Sequence, residues 1–157
     1  MKENVIIEIA VKEAEKNSST GAGGPFGAAV VTPDGRIFVA SNTVLGSHDP
    51  TAHAEVNVIR KACSELGTHD LSGSILYTTC YPCPMCLGAI IWANIKEVHY
   101  GATSEDAASI GFRDDYIYDY IKGNCSDEKV LDLSQINDPE ACRKMFADYA
   151  AANHEMY

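Results

Sequence analysis

Residues 78–93 read TTCYPCPMCLGAIIWA, in which three cysteines recur at every third position. These are Cys80, Cys83 and Cys86. A C-x2-C-x2-C run begins one kind of iron–sulfur loop, and C-x2-C alone begins many zinc sites. The iron–sulfur loop needs a fourth cysteine four residues after the third, and Ile90 occupies that position. The run therefore favours a metal site with fewer than three of these sulfurs.

The two prolines of this run predict which sulfurs share an ion. Pro84 suits the first position of a helix, where its missing N–H is not needed. Cys83 then becomes the N-cap, and Cys86 lies three residues later on the same side of the first turn. A helix N-terminus also favours thiolates. Cys80 lies before the turn, at a strand end that faces elsewhere, and is assigned to packing. The cysteines outside the run are assigned to packing as well: Cys63, Cys125 and Cys142.

A third ligand is expected from HAEV (53–56), because the chain has no second C-x2-C and no H-x3–5-H pair. His53 is the best donor. Two cysteines and one histidine leave the fourth tetrahedral position for water, which is the catalytic arrangement of zinc. Glu55 follows two residues later, and residues two apart on a helix point away from each other. His53 must therefore begin the helix if both side chains are to reach the metal.

The rest of the chain predicts strands that alternate with helices, which is typical of a three-layer α/β/α sandwich. Residues 32–35 form a tight turn between two antiparallel strands. The loop GAGGPFG (21–27) does not match G-x-G-x-x-G and precedes a strand. Its glycines either satisfy the backbone geometry of an ordinary loop or allow the backbone to approach a bound ring closely. The predicted elements are helices at about 4–16, 51–66, from 84, and 139–152, and strands at 28–31, 36–40, 74–79 and 96–102.

Length and charge limit the function further. A chain of 157 residues is expected to form one domain (1–157) with a sizeable core. Its net charge is −10, with 12 Lys plus Arg against 22 Asp plus Glu, whereas nucleic-acid binders usually carry a basic patch. The N-terminus MKENVIIEIAVKEAEK resembles neither a signal peptide nor a membrane span. We therefore expect a cytoplasmic protein whose partners are small molecules, with no nucleic acid and no membrane.

The combination H-x-E…P-C-x-x-C is the signature of zinc nucleobase deaminases. From about residue 3 to 122 the sequence resembles the cytidine deaminase superfamily. The resemblance implies a three-layer sandwich with a mixed five-stranded sheet and one Zn²⁺ per chain, held by His53, Cys83 and Cys86. It implies that Glu55 is not a ligand but moves protons, while zinc lowers the pKa of bound water towards about 7.

A closer similarity is to the guanine deaminase family, in GGPFGA (23–28), DPTAHAEV (49–56), CPMCLGAIIWA (83–93) and GFRDDYIY (111–118). It implies conversion of guanine to xanthine and ammonia. Asn42 and the Ala54 backbone N–H would hold the base, Phe26 would stack on it, and Asp114 would bind or shuttle a proton at the purine edge.

The same resemblance implies a homodimer whose C-terminal segment (about 123–157) is exchanged between protomers and closes the site. Trp92 and Tyr157 then become pocket candidates. Without the resemblance, Asp114 would be interpreted as a helix cap, Trp92 as a core residue and Tyr157 as a frayed end.

One residue departs from the pattern of these families, and three alternative functions remain open at this point. Tyr81 stands where these families commonly have Glu, so the identity of the base is open. Cytosine deaminase is the nearest rival, although GFRDD favours a purine. A tRNA adenosine deaminase would need a basic surface, and a non-enzymatic zinc-binding module would need a fourth protein ligand.

Overall fold

The computed structural model describes residues 3–157, and its sheet has four strands. They are β1 (Gly27–Val31), β2 (Ile37–Ser41), β3 (Ile75–Cys80) and β4 (Glu97–Ala102), in the order β2-β1-β3-β4. β1 pairs antiparallel with β2 and with β3, and β3 pairs parallel with β4. The sheet is therefore mixed, as expected.

Helices connect and flank the strands. The described helices are α1 (Glu3–Thr20), α2 (Val44–Ser47), α3 (Ala54–Leu66), α4 (Pro84–Trp92), α5 (Ser104–Ser109), α6 (Asp115–Lys122) and α7 (Glu140–Ala151). Each of the eight elements predicted from the sequence is present, within a few residues of its predicted ends. The short helices α2, α5 and α6 were not predicted.

Period-two alternation along β1 divides the core between the two faces of the sheet. Ala29 and Val31 face a cluster that contains Ile6 of α1. Ala28 and Val30 face the opposite cluster, which contains Val58 of α3. The same cluster includes residues of α4, so the sheet lies between α1 on one side and α3 with α4 on the other. This arrangement is the predicted three-layer sandwich.

The expectation of a fifth strand is wrong for residues 3–157. After β4 the chain enters α5, because Thr103 and Asp106 form a capping box: Asp106 N–H donates to Thr103 Oγ1, and Thr103 N–H donates to Asp106 Oδ2. Two backbone donors are thereby satisfied at a helix start. The residues after Ala102 consequently continue as helix and add no strand beside β4.

The crossover from β3 to β4 positions the functional residues. Parallel strands need such a connection, and α4 provides it. The start of α4 therefore lies just beyond the carboxyl end of β3, and α3 packs against α4 on the same face.

By its internal contacts the chain divides into two compact units, the first ending at Asp115 and the second comprising Tyr116–Tyr157. None of residues 116–157 is buried. This unit instead exposes large apolar side chains: Tyr116, Ile121, Val130, Leu131, Leu133, Ile136, Met145, Phe146, Tyr149, Met156 and Tyr157. Within residues 3–157, no helix has the length and apolar character needed to cross a membrane.

Candidate active site

Three side chains converge where α3 and α4 begin. Nδ1 of His53 lies 3.5 Å from the Sγ atoms of both Cys83 and Cys86, and the two sulfurs are 3.6 Å apart. The two cysteines are buried and the histidine is partly buried. Among the described residues, they form the only cluster of three or more His, Cys, Asp or Glu side chains arranged closely enough to hold a metal ion.

The size of this triangle fits zinc. Zn–S bonds of about 2.3 Å and Zn–N bonds of about 2.0 Å at tetrahedral angles place two sulfurs about 3.8 Å apart and sulfur about 3.5 Å from nitrogen. The observed separations lie within about 0.2 Å of these values. One His and two Cys donors are also the ligand set of known catalytic zinc sites, which keep their fourth position open.

Helix starts place the three donors. His53 is the N-cap of α3 and Cys83 the N-cap of α4, both with extended backbone, and Pro84 occupies the first position of α4. Cys86 follows in the first turn. These are the positions predicted from the prolines and from the H-x-E spacing. Both helix N-termini point their positive ends at the cluster, which stabilises anionic sulfur.

Mutual hydrogen bonding shifts the pKa values of the two thiols in the cluster in opposite directions. Hydrogen bonds from Cys86 and then from His53 lower the pKa of Cys83 to about 4, against the effect of burial. The pKa of Cys86 is raised, because its hydrogen is bonded to the Cys83 thiolate and because it is buried. A divalent cation displaces that hydrogen when it binds.

Cys80 is not part of the triangle, in agreement with its exclusion as a ligand. It is buried, its Sγ lies 3.5 Å from the Thr103 carbonyl oxygen, and burial raises its pKa to about 11, so it is a neutral thiol at neutral pH. Its sulfur thus points away from the triangle, although Cys80 also lines the cavity described below. Cys142, which was also assigned to packing, is exposed on α7 in the single chain.

A carboxylate lies directly beside the triangle. Glu55, in the first turn of α3, is only 5% exposed, and burial raises its pKa. Its Oε1 accepts a hydrogen bond from Thr78 Oγ1 at 2.8 Å, and its Oε2 lies 3.4 Å from Cys86 Sγ. A buried acid with a raised pKa beside a metal site is typical of proton-transfer groups.

His53, Cys83 and Glu55 line a cavity of about 480 Å³, a volume usual for small-molecule sites, while Cys86 lies buried behind them. Aromatic side chains contribute to its walls. Phe26 and Phe112 meet edge to face, with ring centroids 4.9 Å apart, and Tyr81 meets Tyr100 in the same way at 5.0 Å. The lining residues are Gly23, Gly24, Pro25, Phe26, Asn42, Val44, Leu45, Pro50, His53, Glu55, Cys80, Tyr81, Cys83, Phe112 and Asp114.

The cavity brings together most of the residues predicted for the base. Asn42 is buried, and its Oδ1 accepts the Val44 N–H at 3.1 Å. Asp114 precedes α6 and is partly buried, and burial together with the negative charge of Cys83 raises its pKa. Phe26 is partly buried. Ala54 is fully buried as the first residue of α3, where the helix does not use its N–H.

Two predicted pocket candidates are exposed in the single chain. Trp92 ends α4 and is 67% exposed, and Tyr157 is 84% exposed in the second unit. Trp92 does not line the cavity of the first unit. Both were predicted through exchange between protomers, which a single chain does not test.

Two glycines of the loop at residues 21–27 lie too close to neighbouring residues to carry a side chain. A Cβ at Gly23 would collide with the side chain and carbonyl of Asn42, and a Cβ at Gly24 would lie 2.9 Å from the rings of Phe26 and Phe112. Loop geometry at these positions is therefore set by the residues of the cavity wall.

Thr78, Cys80 and Phe112 are among the residues of the site that sequence reasoning missed. Period-two alternation could have found the first two, because Leu76, Thr78 and Cys80 share one face of β3 and Leu76 belongs to the core beneath α3. For Phe112 no comparable pattern exists, because it lies in an irregular segment between α5 and α6.

A His-Cys-Cys metal site beside a buried glutamate defines a class of zinc hydrolases that deaminate nucleobases. Residues 1–102 match the model of the cytidine and deoxycytidylate deaminase zinc-binding region. The chain therefore belongs to this family, and its cofactor is Zn²⁺.

Comparison with individual relatives shows which members of the deaminase family the chain is similar to. The chain is 46% identical over 136 residues to the guanine deaminase of Bacillus subtilis, a match that covers 87% of this chain and 86% of the relative. A crystal structure of guanine deaminase from Bacillus subtilis matches with a TM-score of 0.89 and 43% identity, over 100% of this chain and 99% of the other. A tRNA-specific adenosine deaminase from Agrobacterium fabrum is 44% identical over 87 residues, which is 55% of this chain and 57% of that protein.

Proposed function

We propose that this chain is a zinc-dependent hydrolase that converts guanine to xanthine and ammonia. The observation that carries the proposal is the triangle of His53, Cys83 and Cys86 beside buried Glu55 in a cavity of about 480 Å³. A purely structural zinc site would have four protein ligands. The described residues supply three, which leaves one position for the reacting water.

Zinc, when bound, supplies an activated water near neutral pH. Glu55 accepts a proton from the attacking water and delivers it to the neighbouring ring nitrogen of guanine as oxygen adds to C2. The proton of the new C2 hydroxyl then goes to the amine on C2, the C2–N bond breaks to release ammonia, and the C2 carbonyl that forms completes xanthine. Guanine and one water thus become xanthine and one ammonia. The raised pKa of Glu55 suits it to accept and release protons.

We propose that three groups hold the ring. Asn42 uses its Oδ1 for Val44, so its amide N–H groups can donate to a ring acceptor. Phe26 offers a ring face for stacking, steadied by its contact with Phe112. The Ala54 N–H is not used within α3 and is the third candidate donor.

Asp114 is proposed to bind the purine edge or to carry a proton there. It lines the same cavity as the metal ligands, and burial raises its pKa. A carboxyl whose pKa is raised towards neutrality can either accept from a ring N–H or relay a proton to the leaving amine.

Guanine is favoured over the rival substrates by the extent of similarity. The match to guanine deaminase spans most of both chains, whereas the tRNA-specific relative matches over little more than half. The net charge of −10 also opposes binding of a polyanion such as tRNA.

We further propose that the chain acts in the cytoplasm as a homodimer. Residues 3–122 form the core of a single deaminase domain, and segment 123–157 is exchanged between protomers and closes the site. The large exposed apolar side chains of residues 116–157 support the exchange, because such a surface is stabilised when a second copy covers it. Trp92 and Tyr157 would then complete the pocket between protomers.

Release of ammonia from guanine, cytosine, adenine, guanosine and cytidine tests the proposal, with xanthine followed by absorbance. Guanine is expected to react fastest, and a zinc chelator is expected to abolish the reaction. A preference for cytosine would contradict the purine assignment, and activity that survives complete zinc removal would contradict the mechanism.

A further inference from the structure

We propose that Thr78 is a positioning residue for Glu55: its hydroxyl holds Oε1, so that Oε2 is the oxygen that exchanges protons. The proposal rests on the proposed deaminase function. Nothing in the H-x-E and P-C-x-x-C motifs points to Thr78, which lies on β3 between the two motifs.

The contact is short, buried and made by a rigid side chain. Thr78 Oγ1 lies 2.8 Å from Glu55 Oε1, and the two residues are 1% and 5% exposed. Water therefore has little access to compete for Oε1. The β-branched threonine has restricted rotamers in a strand, so its hydroxyl is fixed relative to the sheet. Hydrogen bonds to an ionised acceptor are the strong ones.

The two carboxylate oxygens face different groups. Oε1 faces β3 through Thr78, whereas Oε2 lies 3.4 Å from Cys86 Sγ and thus on the side of the metal triangle. Oε2 is therefore the oxygen on the side where a water on the bound metal would lie. A carboxylate anchored through Oε1 presents Oε2 there, and an unanchored one can rotate both oxygens away from that position.

Thr78 also links Glu55 to the metal-binding turn. Its Oγ1 lies 3.1 Å from the Cys80 carbonyl oxygen, a second acceptor for the same hydroxyl hydrogen. Cys80 ends β3, three residues before Cys83. The hydroxyl therefore joins the acid on α3 to the backbone that leads into α4, which fixes Glu55 relative to the ligands.

Kinetics of Thr78→Val and Thr78→Ser test the role of the hydroxyl. Valine keeps the shape and suits a strand but removes the hydroxyl, and serine restores it. With guanine, we expect Thr78→Val to lower kcat roughly 10- to 100-fold, the effect of losing one hydrogen bond to a charged group. KM should change little, because Thr78 contacts no substrate. Thr78→Ser should stay within about threefold of wild type in kcat.

Thr32→Val is the matched control. Thr32 is also buried, at 6% exposure, and its hydroxyl also bonds to a carboxylate, that of Asp34, but in the β1–β2 turn. Its kcat should equal that of wild type. Equal kcat for Thr78→Val and wild type would overturn the proposal, as would a loss in Thr78→Ser as large as in the valine variant.

A crystal structure of zinc-loaded Thr78→Val gives a readout that does not depend on the substrate. We expect the Glu55 carboxylate to rotate away from its wild-type orientation while zinc stays bound. An unchanged carboxylate would overturn the proposal even if wild type proved inactive on guanine, whereas wild-type inactivity alone contradicts only the proposed function. Thr78→Ala serves for both measurements if the valine variant does not fold.

Discussion

Replacement of Cys86 by alanine is expected to empty the zinc site, whereas replacement of Cys80 leaves about one zinc per chain. The sulfurs of Cys83 and Cys86 and the nitrogen of His53 already stand at distances close to the edges of a tetrahedron around zinc. Cys80 points its sulfur at the Thr103 carbonyl instead. Alanine at Cys83 or at His53 should therefore act like alanine at Cys86.

The loss of stability expected for the variants without zinc follows from the coupling between zinc binding and folding. A ligand present at 1,000 times its dissociation constant stabilises the folded state by about 4 kcal/mol. For a protein of this size, that corresponds to roughly 8 to 16 °C in Tm. Cys80→Ala removes only one buried sulfur atom, at a cost of about 1 kcal/mol.

Metal analysis after gel filtration gives the zinc content. Thermal unfolding with and without chelator gives the contribution of bound zinc to Tm. A chelator should lower the Tm of wild type and of Cys80→Ala by similar amounts, and should hardly change that of Cys86→Ala. If Cys80→Ala loses its zinc, or if Cys86→Ala keeps it, the assignment of ligands is refuted.

Three further outcomes are expected. Glu55→Gln should retain zinc, because Glu55 is not a ligand, while turnover falls at least about 100-fold; near-normal turnover would remove Glu55 from the mechanism. Guanine should be deaminated faster than any pyrimidine. Asp114→Ala should lower guanine turnover strongly, and Asp119→Ala, an exposed position in α6, serves as its control. Equal effects of the two variants would contradict the role of Asp114. Deletion of residues 153–157 should leave zinc bound while activity falls by about tenfold or more, because a closed site excludes bulk water. A fully active truncation would refute closure by the tail, and a monomer in light scattering would refute the exchange.

The metal ligands were predictable because local rules place them. Pro84 fixes the start of α4, so Cys83 and Cys86 follow from helix geometry alone. The spacing between His53 and Glu55 likewise requires a helix start, and His53 is the N-cap of α3. Neither inference needs knowledge of how the sheet is assembled.

The cavity wall was harder to predict because it depends on contacts distant in sequence. Phe112 meets Phe26 across more than eighty residues, and no periodicity connects them. The side of the sheet that Cys80 faces depends on the pairing of β3, since a register shift of one residue reverses every side chain. The fifth strand was expected by resemblance alone, and the local capping of α5 by Thr103 decides against it.

The division of the chain at Asp115 sets an order of events during synthesis. All four strands and the three metal ligands precede the boundary between the two units. Domains generally fold in the order in which they are translated, at about 5 to 20 residues per second. Every residue that builds the sheet or holds the metal is therefore translated before Tyr116.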